Sequence, residues 1–132
     1  IHSYRMSEIN RVYYNKLVRD NIPAKIEAKH QKCEIRKITD VQELQQELFK
    51  KIQEEAASLA MCRTKEEFLE EYSDLMVVLD TLIRQLDITK EELIKVRKDN
   101  LIQKGAYKHA HYLHWSDDVD YRSNESVQGI PL

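Results

Sequence analysis

Three times along the chain a residue fit to cap a helix is followed three positions later by glutamate, and then by an apolar run. These are Asp40-Val-Gln-Glu43, Thr64-Lys-Glu-Glu67 and Thr89-Lys-Glu-Glu92. In such a capping box the first side chain accepts from a backbone N–H of the opening turn, and the glutamate reaches back to the cap. The boxes predict helices near 40–60, 64–86 and 89–103. A shorter helix is expected to begin around Ile22–Pro23, because proline suits the first helical position. Gly105 is placed to end the last long helix. The whole chain of 132 residues holds only 2 Gly and 2 Pro, which favours long helices over a turn-rich β architecture. That length supports one domain with a real core, but not two. The expected fold is all-α: a small bundle of about four helices with short extended arms, assembled as an oligomer. Its domain is expected over residues 13–115, with residues 1–12 as an N-terminal extension and 116–132 as a C-terminal tail.

Between the helices the signals are weaker. Cys33-Glu-Ile-Arg-Lys-Ile38 alternates only faintly and reads as a short strand or an extended linker. Residues 107–115 read as a short strand or hairpin arm. Residues 116–132, with Ser, Asp, Asn, Gly129 and Pro131, read as a poorly ordered or partner-bound tail. Met6 is a candidate initiator. Charged residues make up 33% of the chain with a net charge of −2, a balance that offers no basic surface for a nucleic-acid polymer. No stretch reaches the ~20 apolar residues of a membrane span, and no signal peptide opens the chain. Cys33 and Cys62 lack zinc or CxxC spacing and read as reduced thiols, so a cytoplasmic protein is expected.

Two acidic groups lie within the strongly apolar helical patterns. Residues 54–58 read Glu-Glu-Ala-Ala-Ser and residues 71–74 read Glu-Tyr-Ser-Asp. A helix puts Glu71 and Asp74 on one face, about one turn apart. Carboxylates beside so apolar a stripe are costly to bury unless a cation neutralises them. Mg²⁺ carried with a polyphosphate is the natural candidate, since it takes hard oxygen ligands. The plainer reading makes these residues solvated flanks of amphipathic helices, glutamate being a favoured helix former. The helix over 64–86 is apolar around much of its circumference, through Leu75, Met76, Val77, Val78, Leu79, Leu82 and Ile83. It is therefore expected to be central to the fold or covered by a second subunit.

Tyr14-Asn-Lys-Leu-Val-Arg-Asp-Asn-Ile-Pro23 resembles the YNKLVRDxIP opening of a branch of the all-α nucleoside triphosphate pyrophosphohydrolases, the MazG-like and phosphoribosyl-ATP-pyrophosphohydrolase-like group. Lys51-Ile-Gln-Glu-Glu-Ala-Ala-Ser-Leu59 resembles the family's KLxEExxEL. Glu71-Tyr-Ser-Asp74 resembles its ExxD, after a customary gap of 12 residues from Ser58. Lys104-Gly-Ala-Tyr107 resembles an RGGF-type segment. The resemblance covers roughly residues 13–115. It implies a homodimer or dimer of dimers and Mg²⁺-dependent cleavage of a nucleotide between its α- and β-phosphates. The products would be a nucleoside monophosphate and pyrophosphate, a reaction used to clear non-canonical nucleotides. Position by position, Glu55, Glu71 and Asp74 fall on metal-ligand positions. Glu54, adjacent to Glu55 in the catalytic acidic pair, falls where a carboxylate orients water. Lys16, Arg19 and Lys104 are the candidate phosphate contacts; the alternative for Lys16, Arg19 and Asp20 is an ordinary surface or capping salt bridge.

The departures from that pattern define a second reading. Ser58 stands where the family has the last Glu of EExxE, and a hydroxyl is a poorer magnesium ligand than a carboxylate. Val77 stands where many relatives carry an acid, and Ala106 replaces a glycine. A catalytically weakened relative, binding nucleotide or acting as an oligomeric interaction protein, has the same helices. A rival metal reading comes from His109, His111 and His114: the first two would share one face of a strand and the third would face away. The plainer account is a polar, partly exposed arm, in which Tyr112 and Trp115 pack on the bundle or on a partner subunit, or stack on a nucleobase.

Overall fold

A computed structural model of the chain describes residues 10–120. The first nine residues and residues 121–132, the larger part of the expected tail, lie outside that range. Four helices follow one another: α1 (Ile22–Ala28), α2 (Val41–Ala60), α3 (Lys65–Gln85) and α4 (Lys90–Lys104). Among the described residues there is no strand. The fold is all-α, as the capping boxes predict. The chain divides after Glu92 into two units, one carrying α1–α3 and the other most of α4 with the residues that follow it.

The three boxes are not equally complete. At α4, Thr89 Oγ1 accepts from the Glu92 N–H at 3.1 Å and Glu92 Oε2 accepts from the Thr89 N–H at 2.9 Å, a fully reciprocal cap. At α3, Thr64 Oγ1 accepts from the Glu67 N–H at 3.0 Å, but Glu67 reaches one residue further back, to the Arg63 N–H at 2.8 Å. At α2 the box is only half made. Asp40 accepts from the Gln42 N–H at 3.2 Å, while the Glu43 carboxylate turns to the Arg36 guanidinium. Arg36 lies in the stretch 33–38, which is neither strand nor helix; its guanidinium is the stronger attraction for a carboxylate than a backbone N–H. Pro23 sits in the first turn of α1.

Left-handed residues stop α3 and α4, whereas α2 ends at Met61 with φ −100°. Gly105, at φ 74°, closes α4, with its N–H donating to the Leu101 carbonyl at 2.8 Å. Asp87 does the same work after α3 at φ 55°, and the Ile88 N–H donates to the Ile83 carbonyl in a Schellman arrangement. Aspartate tolerates this region better than most side chains. The stretch 107–115 makes no ladder; a turn at Ala110, whose N–H donates to the Tyr107 carbonyl, takes the place of the expected strand or hairpin. A single extended segment with no neighbour to receive its N–H groups has no reason to be a strand.

In the first unit α2 and α3 pack as an antiparallel hairpin around Leu48, Val78 and Leu82, with Leu17, Leu44 and Ile52 laid against them. Burying each central side chain is worth roughly 1.5–3 kcal/mol. Gln85 Nε2 donates to the Val41 carbonyl at 3.0 Å, tying the end of α3 to the start of α2. This core is thin for the apolar content of the hairpin: Phe49, Phe68, Leu69, Tyr72 and Leu86 are all exposed.

Candidate metal centre

Position on the hairpin follows from its register. Two turns up α2 from Val41 stands Leu48, and two turns further stands Glu55. Two turns back along α3 from Gln85 stands Val78, and two turns further stands Glu71. Gln85 meets Val41, Val78 shares the core with Leu48, and at the next step Glu71 faces Glu55. The spacing that builds the apolar seam therefore continues into an acidic pair near the α2–α3 connection. Asp74, one turn on from Glu71, joins them: Glu55, Glu71 and Asp74 each place a carboxylate oxygen within 4.8 Å of the others, and all three are half-buried.

Cations converge on these acids from two directions. Leu17 packs against the core and anchors the segment before α1, where Asn15 takes a left-handed turn at φ 47°. That anchor brings Lys16 Nζ to Glu54 Oε1 at 2.6 Å and Arg19 to Asp74 at 3.6 Å. From within α2, Lys51 Nζ lies 3.1 Å from Glu55 Oε1 and 3.4 Å from Glu54 Oε2. Lys16 also stands over the Tyr14 ring, 5.9 Å from its centre. Sequence spacing did not single out Lys51, because a lysine one turn before a glutamate is an ordinary helix-surface pair. What sets it apart is tertiary: its side chain is only 14% exposed, against 39% for Lys16 and 54% for Arg19.

The two best-placed carboxylates are pushed in opposite directions. The hydrogen bond from Lys16 holds the Glu54 carboxyl below its ordinary value, with help from the charge of Lys51. Glu71 is raised, first by loss of hydration and then by the neighbouring charges of Asp74 and Glu55. Glu71 thus carries the unrelieved cost of the acidic cluster.

Three carboxylate oxygens at this spacing are a hard, anionic donor set, which fits Mg²⁺ and does not fit a metal that prefers sulfur or imidazole. Beside them an open cleft of about 290 Å³ is lined by Ser58, Met61, Cys62, Glu67 and Glu71. The cleft adds Met61 and Cys62 to the site, and neither was visible as a functional residue in the sequence. Ser58 is exposed on this cleft, so the position where the resembled family has glutamate opens beside Glu71.

The remaining candidates belong to the second unit. Lys104 is the last residue of α4, in the second unit. In the arm beyond it, the rings of His109 and His111 stack with centres 5.5 Å apart, and His114 meets Tyr112 edge-on at 5.2 Å. Among the described residues, the acidic triad on α2 and α3 is the group of three metal-binding side chains with its ligand atoms gathered; the histidines form no such group. Cys33 and Cys62 are both free. No helix among the described residues is long and apolar enough to cross a membrane. Compared with family models, curated proteins and solved structures, the chain finds no match.

Proposed function

We propose that this chain is a Mg²⁺-dependent nucleotide pyrophosphohydrolase, cleaving a nucleoside triphosphate to the monophosphate and pyrophosphate. The observation that carries the reading is the meeting of Glu55, Glu71 and Asp74 within 4.8 Å, ringed by Lys16, Arg19 and Lys51. Anionic ligands surrounded by cations are what a metal–polyphosphate complex requires, since the carboxylates take the metal and the cations take the phosphate oxygens. Bound there, Mg²⁺ would supply neutralisation of phosphate charge and a water of lowered pKa. Glu54, held ionised by Lys16, accepts hydrogen bonds and suits orienting that water better than keeping its proton. Lys16 and Arg19 bind phosphate oxygens from the segment before α1. The cleft beside Glu71, with Met61 and Cys62 on its wall, is open to the remainder of the nucleotide.

The test is pyrophosphate release from a panel of nucleoside triphosphates, with and without Mg²⁺. Release that needs Mg²⁺ supports the reading. No release from any of them, combined with measurable nucleotide affinity, would establish the second reading, a nucleotide-binding protein of the same fold. Ser58 and Val77 favour that second reading, because both stand where a carboxylate would have strengthened the site.

Assembly belongs to the same proposal. Flanking the core residues of α3, Leu69, Tyr72, Met76, Leu79, Ile83 and the capping Leu86 recur at alternating steps of three and four, the a/d spacing of a helix–helix seam. Leu69 is 56% exposed, Tyr72 46% and Leu86 49%, while Met76, Leu79 and Ile83 are half-buried, so the seam is only partly covered in a single chain. A second copy of α3 covers it in a homodimer, the smallest assembly expected, with a dimer of dimers as the larger form. Light scattering at micromolar concentration should give at least twice the 15.7 kDa chain mass. Leu79→Lys, which sets a charge in the middle of the seam, should return it to the mass of one chain. A wild-type protein already at single-chain mass would remove the dimer from the proposal.

A further inference from the structure

Lys51 is enclosed where Lys16 and Arg19 are not. Its ammonium bridges Glu54 and Glu55 at 3.4 and 3.1 Å, and Glu55, at 15% side-chain exposure, is as covered as Lys51 itself at 14%. The Lys51–Glu55 pair, sheltered on both sides, is poorly screened by salt, whereas the pairs of Lys16 and Arg19 stand more in solvent. Glu55 also belongs to the triad with Glu71 and Asp74. One carboxylate is therefore shared between a resident cation and any divalent ion the triad receives. The two cations repel within a few ångströms of each other, so occupancy by one weakens the hold of the other.

We infer that Lys51 is the built-in counter-cation of this site: it neutralises Glu55 in the cation-free protein and passes to a phosphate oxygen once a divalent ion takes the carboxylates. The inference rests on the reading of Glu55, Glu71 and Asp74 as a divalent-cation site. Lys51 is a positioning residue in the empty protein and a phosphate contact in the loaded one. The consequence is coupling between metal and phosphate. The metal alone binds weakly because it must displace an ammonium, and the metal with a phosphate binds well because the displaced ammonium has somewhere to go. Such a site would stay largely empty of free Mg²⁺ and load with the metal–polyphosphate together. Four-carbon reach and a compact charge suit lysine to this transfer.

Two measurements that do not depend on turnover test the inference. Titration calorimetry compares Mg²⁺ alone on the wild type, Lys51→Met and Lys51→Arg, then inorganic pyrophosphate on each Mg²⁺-saturated protein. Lys51→Met is expected to bind Mg²⁺ at least about tenfold more tightly, through loss of like-charge repulsion. The same variant is expected to bind pyrophosphate about tenfold more weakly, through loss of a charge-assisted contact. Lys51→Arg keeps the charge and should stay close to the wild type in its affinity for Mg²⁺. A purely structural Lys51 would lower the melting temperature of Lys51→Met and leave both affinities unchanged. That result, in a wild type that binds Mg²⁺, overturns the counter-cation while leaving the metal site standing. A wild type with no Mg²⁺ affinity overturns both. If Lys51→Met does not fold, the decision passes to wild-type protein treated with an amine-specific reagent and read by peptide mass spectrometry. Labelling of Lys51 should quicken when Mg²⁺ is added and slow again with pyrophosphate; labelling indifferent to Mg²⁺ overturns the inference.

Discussion

Asp74→Asn should abolish Mg²⁺-dependent pyrophosphate release and leave the fold intact. Asp74 is one of three carboxylates whose oxygens lie within 4.8 Å of one another, and an amide there offers a neutral, weaker donor in place of an anion. Even partners that only touch metal ligands cost about 10–100-fold when removed, so loss of a ligand itself should exceed that range. Stability should hardly change. The substitution loses an ion pair with Arg19 at 3.6 Å, in which the two side chains are 54% and 35% exposed. A pair so open to solvent is worth about 0–1 kcal/mol. Against that loss, Asp74 is one of the charges pushing up the Glu71 carboxyl, and the amide relieves it. Glu71→Gln makes the same point with a pH signature. A carboxyl that keeps its proton longer in the folded chain than in the unfolded one favours folding at low pH. Its penalty appears as pH rises past the ordinary glutamate range. At neutral pH the cation-free Glu71→Gln protein should therefore melt above the wild type, with the gap closing as pH falls toward that range. Glu54 runs the other way: its lowered carboxyl stabilises the fold above the ordinary range and loses that contribution as pH falls. The difference between variant and wild type isolates Glu71, which the raw pH profile of either does not. Wild-type turnover in Asp74→Asn would withdraw the metal assignment altogether.

The helices were legible because their signals are local. Thr64 and Thr89 need only the next three residues to form a cap, and both do. Asp40 was legible as a cap but its glutamate was not, since Glu43 answers to Arg36, a residue upstream of the box. Residues 33–38 left a short strand and an extended linker open, and the linker is what forms; residues 107–115, read as a short strand or hairpin arm, have no neighbouring strand to complete a ladder. At the candidate site the same divide holds. Glu71 and Asp74 share a face by helical geometry, so their proximity could be read directly. That Glu55 joins them depends on the register between α2 and α3, which Leu48, Val78 and Leu82 set by packing. Lys51 and the Met61–Cys62 wall were hidden for a further reason. Their significance lies in burial and in the cleft, and neither leaves a trace in the spacing of residue types. Lys16 and Arg19 were named for their motif; their contact with Glu54 and Asp74 depends on Leu17 finding the core.

Ser58→Glu should tighten Mg²⁺ binding at least tenfold and raise turnover, and its sign separates the two functional readings. Ser58 is exposed and lines the same cleft as Glu71, so a longer side chain meets open space instead of packed neighbours. At an effective dielectric near 20, a carboxylate about 4 Å from a divalent cation gains roughly 8 kcal/mol of Coulomb energy. A tenfold gain in affinity needs only about 1.4 kcal/mol, so most of that energy can be lost to screening and desolvation without changing the outcome. In a protein that takes up no cation, the same substitution adds a charge beside Glu71 and near Glu55 and Asp74 with nothing to attract it. The melting temperature should then fall. Helix propensity does not explain such a fall, since glutamate is a better helix former than serine. An enzyme with a depleted ligand set gains metal affinity from Ser58→Glu and recovers its stability once Mg²⁺ is present. A protein that only binds nucleotide loses stability in both conditions and gains no affinity. Calorimetric titration with Mg²⁺ and melting curves with and without it decide between them. Unchanged affinity together with a lower melting temperature would transfer the chain to the binding-protein reading.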